Sequence, residues 1–309
     1  MHEPLISVII PTFSRDKHVG VAARSVLNQT YRNLELIVVD DGSQVPARKI
    51  LGNISDSRLK IIRHKNNMGV SAARNTGIAQ SNGEWIALLD DDDLWRPQKL
   101  LRQLTFTKNS GCPASVTDFT LVGTQVLFKR RNSKSDMAWM IVTGCGLNMS
   151  SSMLARRDVF NEIGKFDPNI TRTEDWDWLL RYHQRGHKMA IVPEPLTIYT
   201  GIHRSSYGVE AESIRRIKVK YTPVFSAATC EKGAFNAAIG WKEARVELSA
   251  RHYASGLFKL ALTGIKHPIH FSRYMSVIFQ EPMRRLLSKR HEQLKVDPPS
   301  ANIFVLHHN

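Results

Sequence analysis

The sequence predicts an α/β protein with a central, mostly parallel sheet flanked by helices and a helical extension at its C-terminal end. Four apolar, β-branched-rich runs follow one another at Leu5–Ile10, Leu34–Val39, Leu59–Ile62 and Trp85–Leu89. Each is near-continuously hydrophobic, the pattern of strands buried on both faces. Their starts recur every 25 to 29 residues, the length of a strand–helix–strand unit. Between them, apolar residues take helical spacing, at Val19, Ala22, Ala23 and Val26 and again at Val70, Ala73, Gly77 and Ile78.

With 309 residues, 42% hydrophobic and 23% charged, the chain has the composition of a globular enzyme and excludes wholesale disorder. Cys112, Cys145 and Cys230 are far apart with no CxxC pair, which excludes a disulfide framework and a thiolate zinc knuckle and fits a reducing compartment. The start, MHEPLISVII, has no basic segment before its apolar stretch, so no signal peptide is expected. No run reaches the roughly 18 apolar residues of a spanning helix. The expected location is cytoplasmic, with peripheral attachment to the inner face of the cell membrane as an option. Lys and Arg number 43 against 28 Asp and Glu, a net charge of +15. Residues 209–309 hold 16 of those bases and 8 of the acids, about half the excess. Such a balance favours nucleic acid, an anionic membrane leaflet or phosphorylated substrates. No aromatic-plus-basic module accompanies it, so nucleic acid is not the expected partner.

In parallel sheets ligands sit at the carboxyl ends of the strands. The residues there are Pro11-Thr12-Phe13, Asp40-Asp41-Gly42-Ser43 and Asp90-Asp91-Asp92-Asp93. Four consecutive carboxylates in a cleft either raise their pKa values or bind a cation, and a hard divalent cation explains the cluster best. Asp93 taken alone reads as part of a solvated acidic loop or helix start. A break around Ser110–Ser135, with Lys129-Arg130-Arg131, reads as an exposed loop or hairpin. Gly144-Cys145-Gly146 is not a dinucleotide fingerprint, because the third glycine would fall on Met149. Glu174-Asp175 opens a helix with Trp178, Leu179 and Tyr182 on its apolar face. As plain structure these carboxylates are dipole-favoured first-turn residues with Thr173 as cap, and Asp177 lies at the surface. Residues 210–220 and 234–290 have helical spacing. The expected domains are 1–208, catalytic, with halves at about 1–108 and 140–208, and 209–309, a basic helical extension.

Together SVIIPTF, SVLNQTY, ELIVVDDGS, NMGVSAARNTGIAQSNGEWIALLDDDDLW, GKFDPN, TEDWDWLLRYHQRG and VPEPLTIYTGIHRSS resemble the family 2 glycosyltransferases of GT-A fold, from Leu5 to about Ser206. The resemblance implies transfer of a hexosyl or N-acetylhexosaminyl unit, with inversion, from a nucleotide-diphospho-sugar to an acceptor hydroxyl. It places the DxD motif on Asp90-Asp91-Asp92, with Asp92 as direct ligand of Mn²⁺ or Mg²⁺ and Asp90 or Asp91 on the ribose or the metal's waters. It puts Pro11, Thr12 and Phe13 at the nucleotide, Phe13 stacking on the base unless it is a core residue. Asp41 would accept from a base N–H, Asp40 would cap the next helix, and Arg74 would lie near the nucleotide. The common Asn-Arg pair reads Ser14-Arg15. Gly144 to Leu154 would be the glycine-then-strand segment of the acceptor cleft. The ED motif falls on Glu174-Asp175, with Asp175 as general base for the acceptor hydroxyl and Glu174 as the alternative. His203 would add a metal or phosphate contact.

The implied partners are a nucleotide-diphospho-sugar donor and a glycan or lipid-linked acceptor, in bacterial-type surface polysaccharide or lipid-linked glycan synthesis. For the extension, packing on the catalytic domain stands beside an amphipathic surface for an anionic leaflet. Two alternatives compete. A nucleotidyltransferase would want a glycine-rich, basic loop after the first strand, and IPTFSRDKH lacks glycine until Gly20. A non-catalytic receiver-like domain is opposed by the Asp90–Asp93 cluster, the length and the ED segment.

Overall fold

The computed structural model describes residues 3–121, 134–144, 149–200, 206–226, 229–273 and 275–276. The first half runs β1 (Ile6–Thr12), α1 (Val19–Leu27), β2 (Leu34–Asp40), α2 (Ala47–Ile50), β3 (Leu59–Arg63), α3 (Val70–Ala79), β4 (Trp85–Leu88), β5 (Leu94–Trp95) and α4 (Lys99–Ser110). The second half follows with β6 (Ala114–Leu121), α5 (Lys134–Thr143), α6 (Met149–Ser152), β7 (Leu154–Arg156), α7 (Arg157–Ile163), α8 (Glu174–Gln184) and β8 (Met189–Tyr199). The C-terminal part holds α9 (Tyr207–Tyr221), α10 (Thr229–Ser249) and α11 (Tyr253–Lys266).

Among the described residues eight strands form one sheet in the order β3-β2-β1-β4-β7-β6-β8-β5. The β3-β2-β1-β4 part is parallel throughout. β7 is antiparallel to both neighbours, β6 and β8 run parallel, and β5 is antiparallel to β8. The architecture is the expected one. Alternation along β1 explains the layers: Ile6, Val8 and Ile10 pack with α1 on one face, and Ile9 faces α3 and the larger aromatic core. Gly77 lets α3 sit directly on β1, since a Cβ there would lie 2.4 Å from Ile9 Cγ2.

Three local expectations fail. β3 is the sheet's edge and only half-buried, because one side of it has no neighbouring strand. Within the expected loop around 110–135, Ala114–Leu121 is an internal strand whose start is fully buried; its Ser and Thr side chains hid it from a hydrophobicity reading. Residues 122–133, with Lys129-Arg130-Arg131, lie outside the described residues. The 234–290 stretch is interrupted at Arg251, whose φ of 64° ends the helical run and turns α11 back on α10. α9 and α10 share one hydrophobic core with α8: Ile214, Ile217, Tyr221, Phe225 and Phe235 pack with Trp176, Trp178 and Leu179.

Candidate active site

β1 ends at Thr12, and the chain turns away through Ser14 at φ 53°. Phe13, 48% exposed, therefore stands out of the strand end into solvent, which removes the core alternative. The buried Thr12 hydroxyl donates to Asp91 Oδ2 at 2.7 Å. Arg15 donates to Asp92 Oδ2 at 2.5 Å, its Nε lying 3.9 Å from Asp91. The first strand end and the acidic cluster after β4 thus form one wall.

At the second strand end the paired aspartates part company. Asp40 accepts from the N–H groups of Ser43 and of Ala47, the first residue of α2, each at 2.9 Å, and so caps as expected. Asp41 is buried and accepts from His64 Nδ1 at 2.7 Å and from the N–H groups of Met68 and Gly69 at 2.9 and 2.8 Å. His64 passes on to the Thr76 hydroxyl at 2.9 Å. Among the described residues Asp41 Oδ2 accepts from the Gly69 N–H alone and keeps a free lone pair.

Arg74 is the centre of the site. It is 2% exposed and forks between two halves of the chain, donating through Nη2 to Asp90 Oδ1 at 2.7 Å and through Nη1 to Glu174 Oε1. Burial opposes its charge, but the carboxylates of Asp90, Glu174 and Asp175 outweigh burial and hold its pKa above the ordinary value. Burial pushes Glu174 above its ordinary value, Asp175 adds to this, and Arg74 opposes it. Asp175, next in sequence, is half-buried, and its one described hydrogen bond is from its neighbour's N–H, that of Trp176.

Within the cluster, burial pushes Asp91 up to about 7, against the pull of Thr12 and Arg15. Asp93 corrects the sequence reading. It is neither solvated nor a helix cap, because β5 separates it from α4. It is fully buried, accepts from the Ser151 hydroxyl at 2.5 Å and the Thr200 N–H at 3.0 Å, and burial raises it to about 8. Thr173 is not a side-chain cap either: at φ 60° its hydroxyl turns back to Arg172 O. Asp177 is fully buried, binding Arg181 at 3.0 Å, Lys220 at 2.7 Å and the Tyr221 hydroxyl at 2.8 Å. These cations come from α8 itself and from α9, and no local pattern around residue 177 announces them.

Gly144 has φ 62° and touches Trp176, whose Cδ1 would be 2.9 Å from a Cβ there. Where the described residues resume, at Met149, the segment is first the short helix α6 and then a three-residue strand; the Ser151 hydroxyl donates to Asp93, and the Ser152 carbonyl accepts from Gln103 Nε2. His203 lies outside the described residues, as do Cys145 and Gly146. Sequence reasoning missed the Arg15, His64 and Ser151 contacts. The Ser14-Arg15 pair was the one visible signal among them.

Among the described residues no three His, Cys, Asp or Glu side chains converge as a protein-only metal cage. The donor set nonetheless suits a hard cation: all are carboxylate oxygens, and Asp92 Oδ1 has no partner among the described residues. A cation here would need oxygens from a bound diphosphate as well.

A parallel sheet of order 3-2-1-4 extended by a mixed half, with carboxylates at the ends of its second and fourth strands, defines the class: the GT-A fold of nucleotide-diphospho-sugar transferases. The mannosyltransferase PcManGT from Pyrobaculum calidifontis, in complex with GDP-Man and Mn²⁺, superposes with a TM-score of 0.60 at 16% identity over 90% of this chain and 86% of that one. S. aureus TarS gives 0.61 at 18% identity over 78% of this chain and 43% of TarS. The signature of glycosyl transferase family 2 matches residues 7–167, more than half of the chain, and the protein belongs to that family. An uncharacterized glycosyltransferase of Haemophilus influenzae is 41% identical over 108 residues, 34% of this chain and 43% of that protein. The Escherichia coli UDP-Glc:alpha-D-GlcNAc-diphosphoundecaprenol beta-1,3-glucosyltransferase WfgD is 28% identical over 157 residues, 50% of this chain and 62% of WfgD. The aligned part spans about half the length of these relatives.

Proposed function

We propose that this protein is an inverting glycosyltransferase that moves a sugar from a nucleotide-diphospho-sugar, of the UDP class, to a hydroxyl of a glycan or lipid-linked acceptor. The observation that carries this is the division of labour around Arg74. The guanidinium takes up one carboxylate of the acidic cluster and one of the ED pair, while Asp92 Oδ1 and Asp175 Oδ2 have no partner among the described residues. WfgD's name describes a lipid-linked acceptor and a UDP-Glc donor, which supports the acceptor class and surface-glycan synthesis.

In this reading Phe13 stacks on the base, Pro11 and Thr12 shape the floor beneath it, and Asp41 Oδ2 spends its free lone pair on a base N–H. Asp90 and Asp91 meet the ribose or the cation's waters. Asp92, with His203, would hold Mn²⁺ or Mg²⁺, which supplies neutralisation of the charge that develops on the leaving diphosphate. The acceptor oxygen forms the new bond to the anomeric carbon as the bond from that carbon to the diphosphate oxygen breaks. Its proton passes to Asp175, and the electron pair leaves with the nucleoside diphosphate. Glu174, neutralised by Arg74, positions the start of α8. Because lipid-linked acceptors reside in a membrane, the enzyme works as a peripheral protein on its inner face.

The test is a thermal-shift panel of UDP, GDP, dTDP and CDP with Mn²⁺, Mg²⁺ or EDTA, on the wild type, Asp92→Ala and Asp175→Asn. One nucleotide should raise the wild-type melting temperature in a metal-dependent way. Asp92→Ala should lose that shift, and Asp175→Asn should keep it while losing transfer. Normal turnover by Asp175→Asn sinks the base assignment, and metal-independent tight binding by Asp92→Ala sinks the ligand assignment.

A further inference from the structure

α11 is built the wrong way round for a helix of a water-soluble domain. Its contact with α10 is made through small residues at close approach. A Cβ on Gly240 would lie 2.1 Å from Thr263 Oγ1, and one on Gly256 would lie 2.7 Å from Leu248 Cγ. Gly256 and Thr263 are the buried residues of α11. Its large apolar side chains point the other way: Leu257 is 58% exposed, Phe258 68% and Ile265 78%, with Tyr253 and Leu262 flanking them. Ile269, 78% exposed, extends the stripe past the end of the helix. An amphipathic helix normally buries such a stripe.

Charge says what covers it. From Leu248 to Gln280 there is no Asp or Glu, while Arg251, Lys259, Lys266 and Arg273 lie in that span. Arg251 and Lys266 are exposed, and Lys259 pairs with Glu247. Arg284, Arg285, Lys289 and Arg290 follow in sequence. A second copy packed face to face would bring these cations together with no carboxylate between them. The chain's own end, 277–309, is itself net basic and fits no better. A bilayer with anionic headgroups accepts both the apolar stripe and the cations.

We propose that the α11 face formed by Tyr253, Leu257, Phe258, Leu262, Ile265 and Ile269 docks the protein on an anionic membrane surface. Its apolar residues enter the headgroup boundary, and Arg251 and Lys266 lie on the phosphates. This deepens the glycosyltransferase reading and rests on it only for the purpose of docking, which is to meet a lipid-linked acceptor. α10 joins α11 to α5 and α8, Arg273 lies over the ring of Trp139 in α5 at 4.6 Å, and His252 at its start meets Tyr207, just after the segment that carries His203.

The experiment is co-sedimentation of the full chain with vesicles of phosphatidylcholine, with or without about 30% phosphatidylglycerol, at low and high salt. Wild type should bind the anionic vesicles and release at high salt. Phe258→Asp/Ile265→Asp should bind at least roughly tenfold more weakly, with an unchanged melting temperature because both residues are exposed. Arg251→Ser and Lys266→Ser should each weaken binding about fivefold. Asp175→Asn should bind vesicles like wild type although it does not transfer, whereas wild-type protein that binds vesicles yet transfers no sugar overturns the catalytic reading and leaves the surface standing. Equal binding to both vesicle types, or none, overturns the proposal. So does a dimer in light scattering that Phe258→Asp/Ile265→Asp dissolves, which would give the face to a second copy. A large fall in melting temperature with unchanged vesicle binding overturns it too, by giving the face to the protein's own chain.

Discussion

Replacing Arg74 with Met tests the centre of the site. The side chain keeps its bulk and loses the charge that faces Asp90 and Glu174, at a position 2% exposed. Removing one partner of a buried ion pair typically costs about 3–5 kcal/mol, because the other charge stays buried without compensation. At about 2–4 °C per kcal/mol, the melting temperature should fall by roughly 6–20 °C. The deficit should depend on pH in a direction the structure fixes. Burial already raises Glu174, and without Arg74 only a backbone hydrogen bond still opposes that rise. A carboxyl whose folded pKa is raised contributes most below its unfolded pKa and loses that contribution as pH rises through its folded one. The deficit should therefore be smaller at about pH 5 than at about pH 8. Thermal melts of both proteins at the two pH values measure it. Glu174→Gln should restore part of the loss in the Arg74→Met background and none in the wild type, the mark of direct coupling. A deficit below about 1 kcal/mol at high pH, or one equally large at both, would refute the clamp.

Phe13→Ala should weaken nucleotide binding by about 1–3 kcal/mol, roughly 5- to 150-fold, while leaving the free protein's melting temperature in place; equal affinity by titration calorimetry removes the stacking role. Asp93→Asn imitates the protonated acid that burial favours, with a folded pKa of about 8 against an ordinary 3.8. Wild-type stability should accordingly fall more steeply than the variant's as pH rises from about 4 to 8, and parallel melting curves would show that Asp93 is ionised throughout. Lys99 is wholly buried, with its Nζ 3.6 Å from the Trp95 ring centroid and no hydrogen-bond partner among the described residues, and burial drives its pKa well down. Lys99→Met should raise the melting temperature, more at about pH 6 than at pH 9 because the amine's penalty fades as pH rises; a loss of stability would mean that the cation–ring contact outweighs desolvation.

The N-terminal half was legible because its signals are local. Ile6, Val8, Ile9 and Ile10 are all fully buried in a strand flanked by strands, so the run reads as continuous hydrophobicity, and the acids that follow β4 stand next to it in sequence. β6 was not legible, since its buried Ser115 and Thr117 find partners only through the fold, in Gln103, Thr107 and Thr197. The same rule separates the site residues. Asp40 capping its own turn could be read from Asp-Asp-Gly-Ser, whereas Asp93 meets Ser151 and Thr200, 58 and 107 residues away. A polar residue's neighbours decide its role, and a linear reading supplies only the near ones.

The first turn of α8 supports the proposal that Asp175 is the general base. Three acids stand there, Glu174, Asp175 and Asp177, at the end of a helix that favours them all equally by its dipole. Two are spent on assembly. Glu174 reaches across to Arg74 and, through it, to Asp90 just after β4, which fixes α8 against the N-terminal half. Asp177 reaches the other way, to Lys220 and Tyr221 of α9, which fixes α8 against the C-terminal helices. Behind them Trp176 packs on Phe235 of α10, with ring centroids 5.9 Å apart, and closes the apolar side. A helix start held on both sides by buried carboxylates has little freedom to shift, so the carboxylate between them keeps its position without being consumed by it. A proton acceptor needs that combination of fixed placement and unspent lone pairs. In the proposed mechanism the C-terminal helices then belong to the catalytic geometry, because α9 holds Asp177, two residues from Asp175.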